Sequence, residues 1–289
     1  MDVDLARTLL AIVEMGSFKE AASKLNLTQS TISARVKTLE DVVGRRLLER
    51  SKAGVQLTPA GEHFYRHAVA LVRVWRHALL EVAMSEEHSD HLAIGAQISL
   101  WEGFLLPWVA WMREVNSDIA VTASVGGSQE LTDRLSEGTL DLAVVYRAAN
   151  RPGLMVEHIF DEELVLITSG DERVRRPGSG YVFVNWGPEF TADHADAYPD
   201  LLHAGLHLEL GAIGVNYLFD TNASGYFPLR VAQPYIEAGH IKLVTRARRF
   251  IYPVYAVYPE DRDDEAYNPI LESLRQTVEE TFGARTPRS

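Results

Sequence analysis

The sequence predicts an α/β protein that opens with an all-α winged helix-turn-helix, continues through a long linker helix, and ends in a two-part α/β body. Three observations predict it. Residues 1–58 hold three short helical periodicities and a brief β-like pair, residues 59–88 hold one unbroken helical stripe, and from residue 89 strand-like runs alternate with amphipathic helices. The chain has 289 residues, 46% of them hydrophobic, which suffices for the cores of two or three domains.

The first helix is read from Leu5, Leu9, Ile12 and Val13, and it stops at Gly16, a residue suited to a left-handed C-terminal cap. Ser17 and Glu20 in "SFKE" form a capping box for a second helix, whose Ala21, Ala22 and Leu25 make a narrow face that another helix can approach closely. Thr28 then caps a third. At 100° per residue Ile32, Val36 and Leu39 fall in one sector, which must be buried. The opposite side carries Ser30, Ser33, Ala34 and Lys37, with Thr31 and Thr38 beyond and Gln29 and Arg35 on the flanks.

That face is unusual, because a solvated helix surface ordinarily mixes long acids and bases. Short side chains allow close approach to base edges in a major groove, amides and hydroxyls bond to bases and phosphates, and cations at the margin meet the backbone. A Ser/Thr-rich solvated helix is the alternative. After it, "GRRLLERSKAGVQLTPAGE" reads as a basic hairpin: Arg50 and Lys52 lie near a turn at Gly54, followed by the β-like run Val55, Gln56 and Leu57.

Charge is distributed unevenly. The net formal charge is −12, yet residues 1–88 hold 12 Lys and Arg against 11 Asp and Glu, and residues 19–52 hold eight bases against four acids. A small basic surface on an acidic body is compatible with duplex binding. Cysteine is absent, which excludes disulfides and thiolate metal sites. No run reaches about 18 uninterrupted apolar residues, and "MDVDLARTLL" lacks a basic region followed by an apolar one, so a cytoplasmic location is expected.

The segments "GSFKEAASKLNLTQSTISARVKTLEDVVGRRLLERS" and "VQLTPAGE" together resemble the N-terminal domain of LysR-type transcriptional regulators over nearly all of residues 3–62. The resemblance implies contacts to double-stranded DNA from Thr28, Gln29, Ser30, Thr31, Ser33, Ala34, Arg35, Lys37, Arg50 and Lys52. The chain departs from many members at Ala34 and Ala53, where bases are common, so base preference does not carry over.

From Pro59 to His88 the helical stripe runs through Phe64, Ala68, Leu71, Trp75, Ala78 and Val82 at spacings of three and four. Such a seam asks for a partner helix, and Phe64, Leu71, Trp75 and Val82 are the expected dimerisation residues. The family resemblance implies a homodimer or homotetramer, a small-molecule effector, and contact with RNA polymerase.

In the body, "HLAIGAQ", "IAVTASV" and "LDLAVVY" read as strands, with helices over "SLWEGFLLPWVAWMREV" and "GGSQELTDRLSEGT". A less regular set follows: strands "LVLITS", "YVFVNWG" and "LHLELG", a helix over 212–224, and a strand "YFPLRV". A late strand "FIYPVYAVYPE" and a closing helix "NPILESLRQTVEETFG" complete it. These halves resemble the family's two-lobed α/β effector domain, similar to type II periplasmic binding proteins. The resulting division is a DNA-binding domain at 1–58, a linker/dimerisation helix at 59–88, and an effector-binding domain at 89–289. Its lobe I covers about 90–162 and 260–285, and its lobe II about 163–259. A narrower similarity in "SLWEGFLLPW" and "WGPEF" points to the HdfR-like flagellar-operon regulators.

In such folds ligands bind at the C-terminal ends of strands, where helix N-termini present amides. The resemblance therefore places Ser99, Leu100, Trp101, Gly127, Ser128, Gly211, Ala212 and Tyr226 at the effector site, Ser99 and Ser128 being alternatively plain N-caps. Relatives often carry hydroxyls where this chain has "LGAIG". With Trp101, Glu102, Trp186 and Tyr226 near the crevice and no evident guanidinium, the site suits a larger neutral or cationic ligand, or is filled by its own aromatics.

No metal, cofactor or catalytic constellation is expected. His63 and His67 have no third ligand nearby, and His194, His203 and His207 match no familiar spacing and read as surface loop. Phosphate loops, dinucleotide fingerprints, HExxH and GxSxG are absent, which disfavours an enzyme carrying a DNA-binding appendage. An architectural DNA protein without an effector is the other alternative.

Overall fold

A computed structural model describes residues 2–51, 54–83, 90–170, 177–178, 180–201, 205–260, 262 and 264–282. Its first three helices are α1 (Val3–Met15), α2 (Phe18–Lys24) and α3 (Gln29–Val43), and each begins on a side-chain cap. The Ser17 hydroxyl accepts from the amides of Lys19 and Glu20, and Thr28 accepts from that of Thr31. Gly16 and Gly44 end α1 and α3 at φ of +62° and +72°, the left-handed region that glycine enters without steric cost.

Ile32, Val36 and Leu39 are buried, in one core with Leu5, Leu9, Ile12, Ala21 and Ala22. The wing is an antiparallel pair, β1 (Leu48–Ser51) and β2 (Gly54–Leu57), with Leu48 opposite Leu57. Two bonds fix it to the helices. The Glu40 carboxylate accepts from the Leu47 amide at 2.7 Å, and the Val55 amide donates to the Gly16 carbonyl at 3.0 Å. Gly54, at φ +118°, approaches Gly16 so closely that a Cβ would lie 2.9 Å from its carbonyl oxygen. The long helix α4 (Pro59–Ala83) starts on the Thr58 hydroxyl, which accepts from the Gly61 amide, and Tyr65, Ala68, Val69 and Val72 enter the same core.

The chain continues as β3 (Asp90–Ala96), α5 (Ile98–Leu100), α6 (Leu106–Val115), β4 (Ile119–Val125), α7 (Ser128–Ser136), β5 (Leu142–Val145) and β6 (Leu154–Thr168). Next come β7 (Val182–Val184), α8 (Pro188–Ala197), β8 (Leu206–Leu208), α9 (Val215–Phe219), β9 (Ser224–Pro228) and α10 (Leu229–Glu237). β10 (Lys242–Leu243), β11 (Phe250–Pro259) and α11 (Asp264–Phe282) close it. Among the described residues no helix is long and apolar enough to cross a membrane.

Two compact units result. One comprises Met1–Ala96, Met112–Glu157 and Ala256–Ile270; in it β3 pairs in parallel with β4 and β5, setting Ile94 beside Ala123 and Leu142. Burial along its whole length, beside its parallel neighbour β3, explains why β5 reads "LAVV" without polar alternation. The other comprises Gln97–Trp111, His158–Tyr255 and Leu271–Ser289; in it β9 and β10 pair antiparallel with β6, and β7 pairs in parallel with β8. The chain passes between the units after β3 and within α6, β6, β11 and α11.

Four expectations are corrected. The single helix over 99–115 is broken at Glu102 and at Gly103, whose φ is +68°, and α6 restarts with Pro107 in its first turn, where a missing N–H costs nothing. The helix over 212–224 is a 3-10 turn at Gly211–Gly214 followed by α9, which stops before the left-handed Asn222, φ +51°. "YFPLRV" is a strand only to Pro228, after which Leu229 starts a helix. His194, expected in an irregular surface segment, lies in α8, which has Pro188 in its first turn.

Candidate functional site

The exposed face of α3 presents Gln29, Ser30, Ser33, Ala34, Lys37 and Thr38 to solvent. At its N-terminus the Thr28 hydroxyl lies 2.8 Å from the hydroxyls of both Ser30 and Thr31, so these three side chains form one polar cluster over the first turn. Arg35, half-buried on the flank, is turned inward. Its Nη2 meets the Asp4 carboxylate at 3.0 Å and its Nη1 the Thr8 hydroxyl at 3.4 Å. Thr38 spends its hydroxyl on the Ala34 carbonyl at 3.0 Å. The face left for a ligand is thus narrow: an amide, two hydroxyls, a methyl and one ammonium. Such a surface fits a groove whose walls are phosphate and whose floor is base edges.

Arg50 has its backbone in β1 opposite Val55, and its side chain and Lys52 lie outside the described residues. Along α4 the expected seam divides. Phe64 packs on the core of the first three helices and Ala68 is wholly buried, whereas Leu71, Val74, Trp75, Leu79 and Val82 are exposed, Val82 to 88%. An apolar stripe at spacings of three and four on an exposed helix has no cover within the described protomer.

The expected effector residues fall in both units. Gly127 is exposed and is the N-cap of α7, with Ser128 half-buried as its first residue; Ser128 therefore does not cap the helix. Ser99 is buried inside α5, whose N-cap is Gln97, so Ser99 does not cap either. In the second unit α5 and the Gly211–Gly214 turn pack together, and Ile98 lies where a Cβ on Gly211 would sit. This brings Ser99, Leu100 and Trp101 to the neighbourhood of Gly211 and Ala212. Leu100, Trp101 and Ala212 are themselves buried.

Tyr226 is different. It is fully buried, its hydroxyl 2.8 Å from that of Tyr198 and donating to the Arg248 carbonyl at 2.9 Å, and burial raises its pKa well above the usual phenol range. Trp186 is likewise a core residue, its indole N–H bonded to the Tyr226 carbonyl at 2.8 Å. His194, expected on a surface loop, is buried beside Tyr181, Phe183 and Phe190, with Nε2 2.8 Å from the Tyr181 hydroxyl. Burial lowers its pKa to about 4, so the imidazole is neutral. His207 is exposed, His203 lies outside the described residues, and among the described residues no three metal-ligating side chains converge.

Residues 3–62 match the bacterial regulatory helix-turn-helix protein of the lysR family, and residues 85–179 match the LysR substrate binding domain. The chain belongs to the LysR-type transcriptional regulators. Among LysR-type relatives, the HTH-type transcriptional regulator HdfR of Yersinia enterocolitica is 29% identical over 284 residues, covering 92% of this chain and 93% of its own. HdfR of Salmonella typhimurium is 29% identical over 289 residues, covering 96% and 99%. Among solved structures, full-length LysG of Corynebacterium glutamicum with bound effector Arg aligns at a TM-score of 0.59 and 21% identity, over 97% of this chain and 99% of that one. ArgP of Mycobacterium tuberculosis aligns at 0.57 and 19% over 100% and 99%. These structures share the fold.

Relative to the LysR-type expectation, sequence reasoning missed one residue beside the Ser99 segment. Arg230, in α10, donates to Glu162 at 2.9 and 3.2 Å, to the Ser99 carbonyl at 2.8 Å and to the Glu102 carbonyl. Only an arginine inside an otherwise apolar run, "YFPLRV", hinted at a buried partner.

Proposed function

We propose that this chain regulates transcription as a homo-oligomer, reading duplex DNA with α3 and responding to a small molecule held by its α/β part. The observation that carries the first half is the α3 face. Its exposed Gln29, Ser30, Ser33, Ala34 and Lys37 are amide-bearing, short or basic, while its acids, Glu40 and Asp41, stand at the far end of the helix. Residues 1–58 serve as the DNA-binding domain, 59–88 as linker and dimerisation helix, and 89–289 as effector-binding domain. In that division α3 enters the major groove, the wing with Arg50 and Lys52 follows the flanking backbone, and Leu71, Trp75 and Val82 join protomers. The Ser99–Trp101 and Gly211–Ala212 segments of the second unit receive the effector. No catalytic step is assigned, the chain works in the cytoplasm, and RNA polymerase is a further contact.

The relatives support the regulatory reading, and LysG carries a bound arginine effector in its own structure. Fluorescence anisotropy of the purified chain on the duplex upstream of its own gene, beside a shuffled duplex, tests it. Specific binding on the order of 10³ or more tighter than to the shuffled duplex is expected, with a log–log salt slope of about −0.9 for each phosphate contact. Equal, weak binding to every tiled upstream and neighbouring duplex counts against it.

A further inference from the structure

Apart from the residues assigned to the effector, the second unit contains a cavity of about 480 Å³ bounded by β6, α10, α11 and the Gly103 turn. Its size falls in the range of small-molecule sites, roughly 300–1,000 Å³. None of Ser99, Leu100, Trp101, Gly211, Ala212 or Tyr226 is in its wall.

The wall has two chemistries. Its apolar part is Phe160, Phe282, Val278, Leu229 and Pro234, and the two phenyl rings stack at 3.9 Å with Phe104 edge-on to both. Its polar part holds four carboxylates, Asp161, Glu162, Glu163 and Glu237, against the one guanidinium of Arg230. That guanidinium cannot receive an anion. At least four of its five N–H groups are already engaged, by both oxygens of buried Glu162 and by the carbonyls of Ser99 and Glu102. Arg249 lies 2.8 Å from Glu163. Glu237 and Asp161, both exposed at the rim, meet Gln233 at 2.8 Å and His158 at 2.7 Å. Gln233 is neutral, so the carboxylate charge of Glu237 is not offset by it.

An apolar floor with a negative rim selects a ligand by sign as well as by shape. We infer that this cavity is a second small-molecule site, taking a ligand that joins a primary ammonium group to an aromatic or branched aliphatic body. The body replaces water against Phe160, Phe282 and Val278, and the ammonium sits at the rim between Asp161 and Glu237. A carboxylate of the same shape meets Asp161 and Glu237 at the rim, where among the described residues no guanidinium pairs with them, and finds at most one open N–H of Arg230.

Phenethylamine, the uncharged phenethyl alcohol and the anion 3-phenylpropionate probe this on the full chain, without DNA, by titration calorimetry. Saturable binding of the amine is expected, with the alcohol about tenfold or more weaker and the anion weaker still. The Asp161→Asn/Glu237→Gln double variant loses the preference for amine over alcohol and keeps the alcohol's affinity. Gln233→Trp, an exposed position on α10, fills the space and abolishes binding of both while the melting temperature stays that of the parent. No saturable amine binding overturns the inference, as does anion binding equal to the amine's, or amine binding that survives Gln233→Trp.

Discussion

Arg35 and Asp4 pair at 3.0 Å, tying the flank of α3 to the first turn of α1. A half-buried pair of this kind contributes on the order of 1 kcal/mol or less to stability, so its main effect is orientation: the guanidinium is held against the domain. Lys37, one turn from Ser33 and fully on the exposed face, is the cation left to meet phosphate. Lys37→Ala is therefore expected to lower the magnitude of the log–log salt slope by about 0.9, and Arg35→Ala to leave it nearly unchanged. Anisotropy over a salt series measures both slopes. A larger change for Arg35→Ala would mean that the pair opens on DNA.

Ser33 and Ala34 are exposed at the centre of the α3 face, where close approach demands short side chains. Ser33→Arg places a long side chain there without touching the buried Ile32 and Val36. Specific affinity should fall by about 1–3 kcal/mol, the range of one base contact, while nonspecific affinity holds or rises with the added charge. Unchanged specific affinity in this variant would place the reading surface elsewhere.

The helical domain was legible in the sequence because its signals are local. Ser17 and Thr28 cap within three residues, Gly16 and Gly44 stop within one, and the 3.6-residue period sorts Ile32, Val36 and Leu39 inward. The body was less so, because its decisive contacts are distant in sequence. His194 has a polar side chain in a charged neighbourhood, and only the fold sets Tyr181 thirteen residues away against it. Arg230 meets Glu162 across 68 residues, a pairing no spacing rule reaches. The break at Glu102 and Gly103 was masked by the apolar run on both sides, although Gly103 and Pro107 carried the signal.

Leu71, Val74, Trp75, Leu79 and Val82 lie exposed along α4, and a second copy of the helix is the cover that the proposed assembly provides. Trp75→Glu with Leu79→Glu puts two charges into that seam without entering the core. The double variant is expected to sediment as a monomer with an unchanged helical spectrum and to bind the specific upstream duplex at least tenfold more weakly, since two protomers no longer act together on it. A variant that remains dimeric by sedimentation equilibrium removes the stripe from the interface.

His194 makes stability depend on pH in a defined direction. Its folded pKa, about 4, lies below the ordinary 6.5, because burial among aromatic rings disfavours the imidazolium. Between these values the unfolded chain binds more protons than the folded one, so this contribution is complete above about pH 6.5 and is lost as pH falls toward about 4. The loss amounts to about 3 kcal/mol. Urea midpoints from pH 7 to pH 4 should show it, and His194→Gln, which keeps a partner for the Tyr181 hydroxyl, should flatten that part of the profile. An unaltered profile in the variant would assign the acid sensitivity to other groups.

Glu162 and Arg230 are 2% and 9% exposed in their side chains, so neither charge tolerates the loss of the other. Glu162→Ala leaves a guanidinium in a poorly hydrated site with only carbonyl partners, and the expected cost is about 3–5 kcal/mol. Glu162→Gln keeps an acceptor oxygen for Arg230 Nε and should cost less. Because Arg230 also holds the carbonyls of Ser99 and Glu102, the alanine variant should expose the amides of residues 98–103 to faster hydrogen exchange, while those of α1 and α3 keep their protection. Uniformly faster exchange along the whole chain would instead mean that the pair serves global stability and has no particular hold on the Ser99 segment.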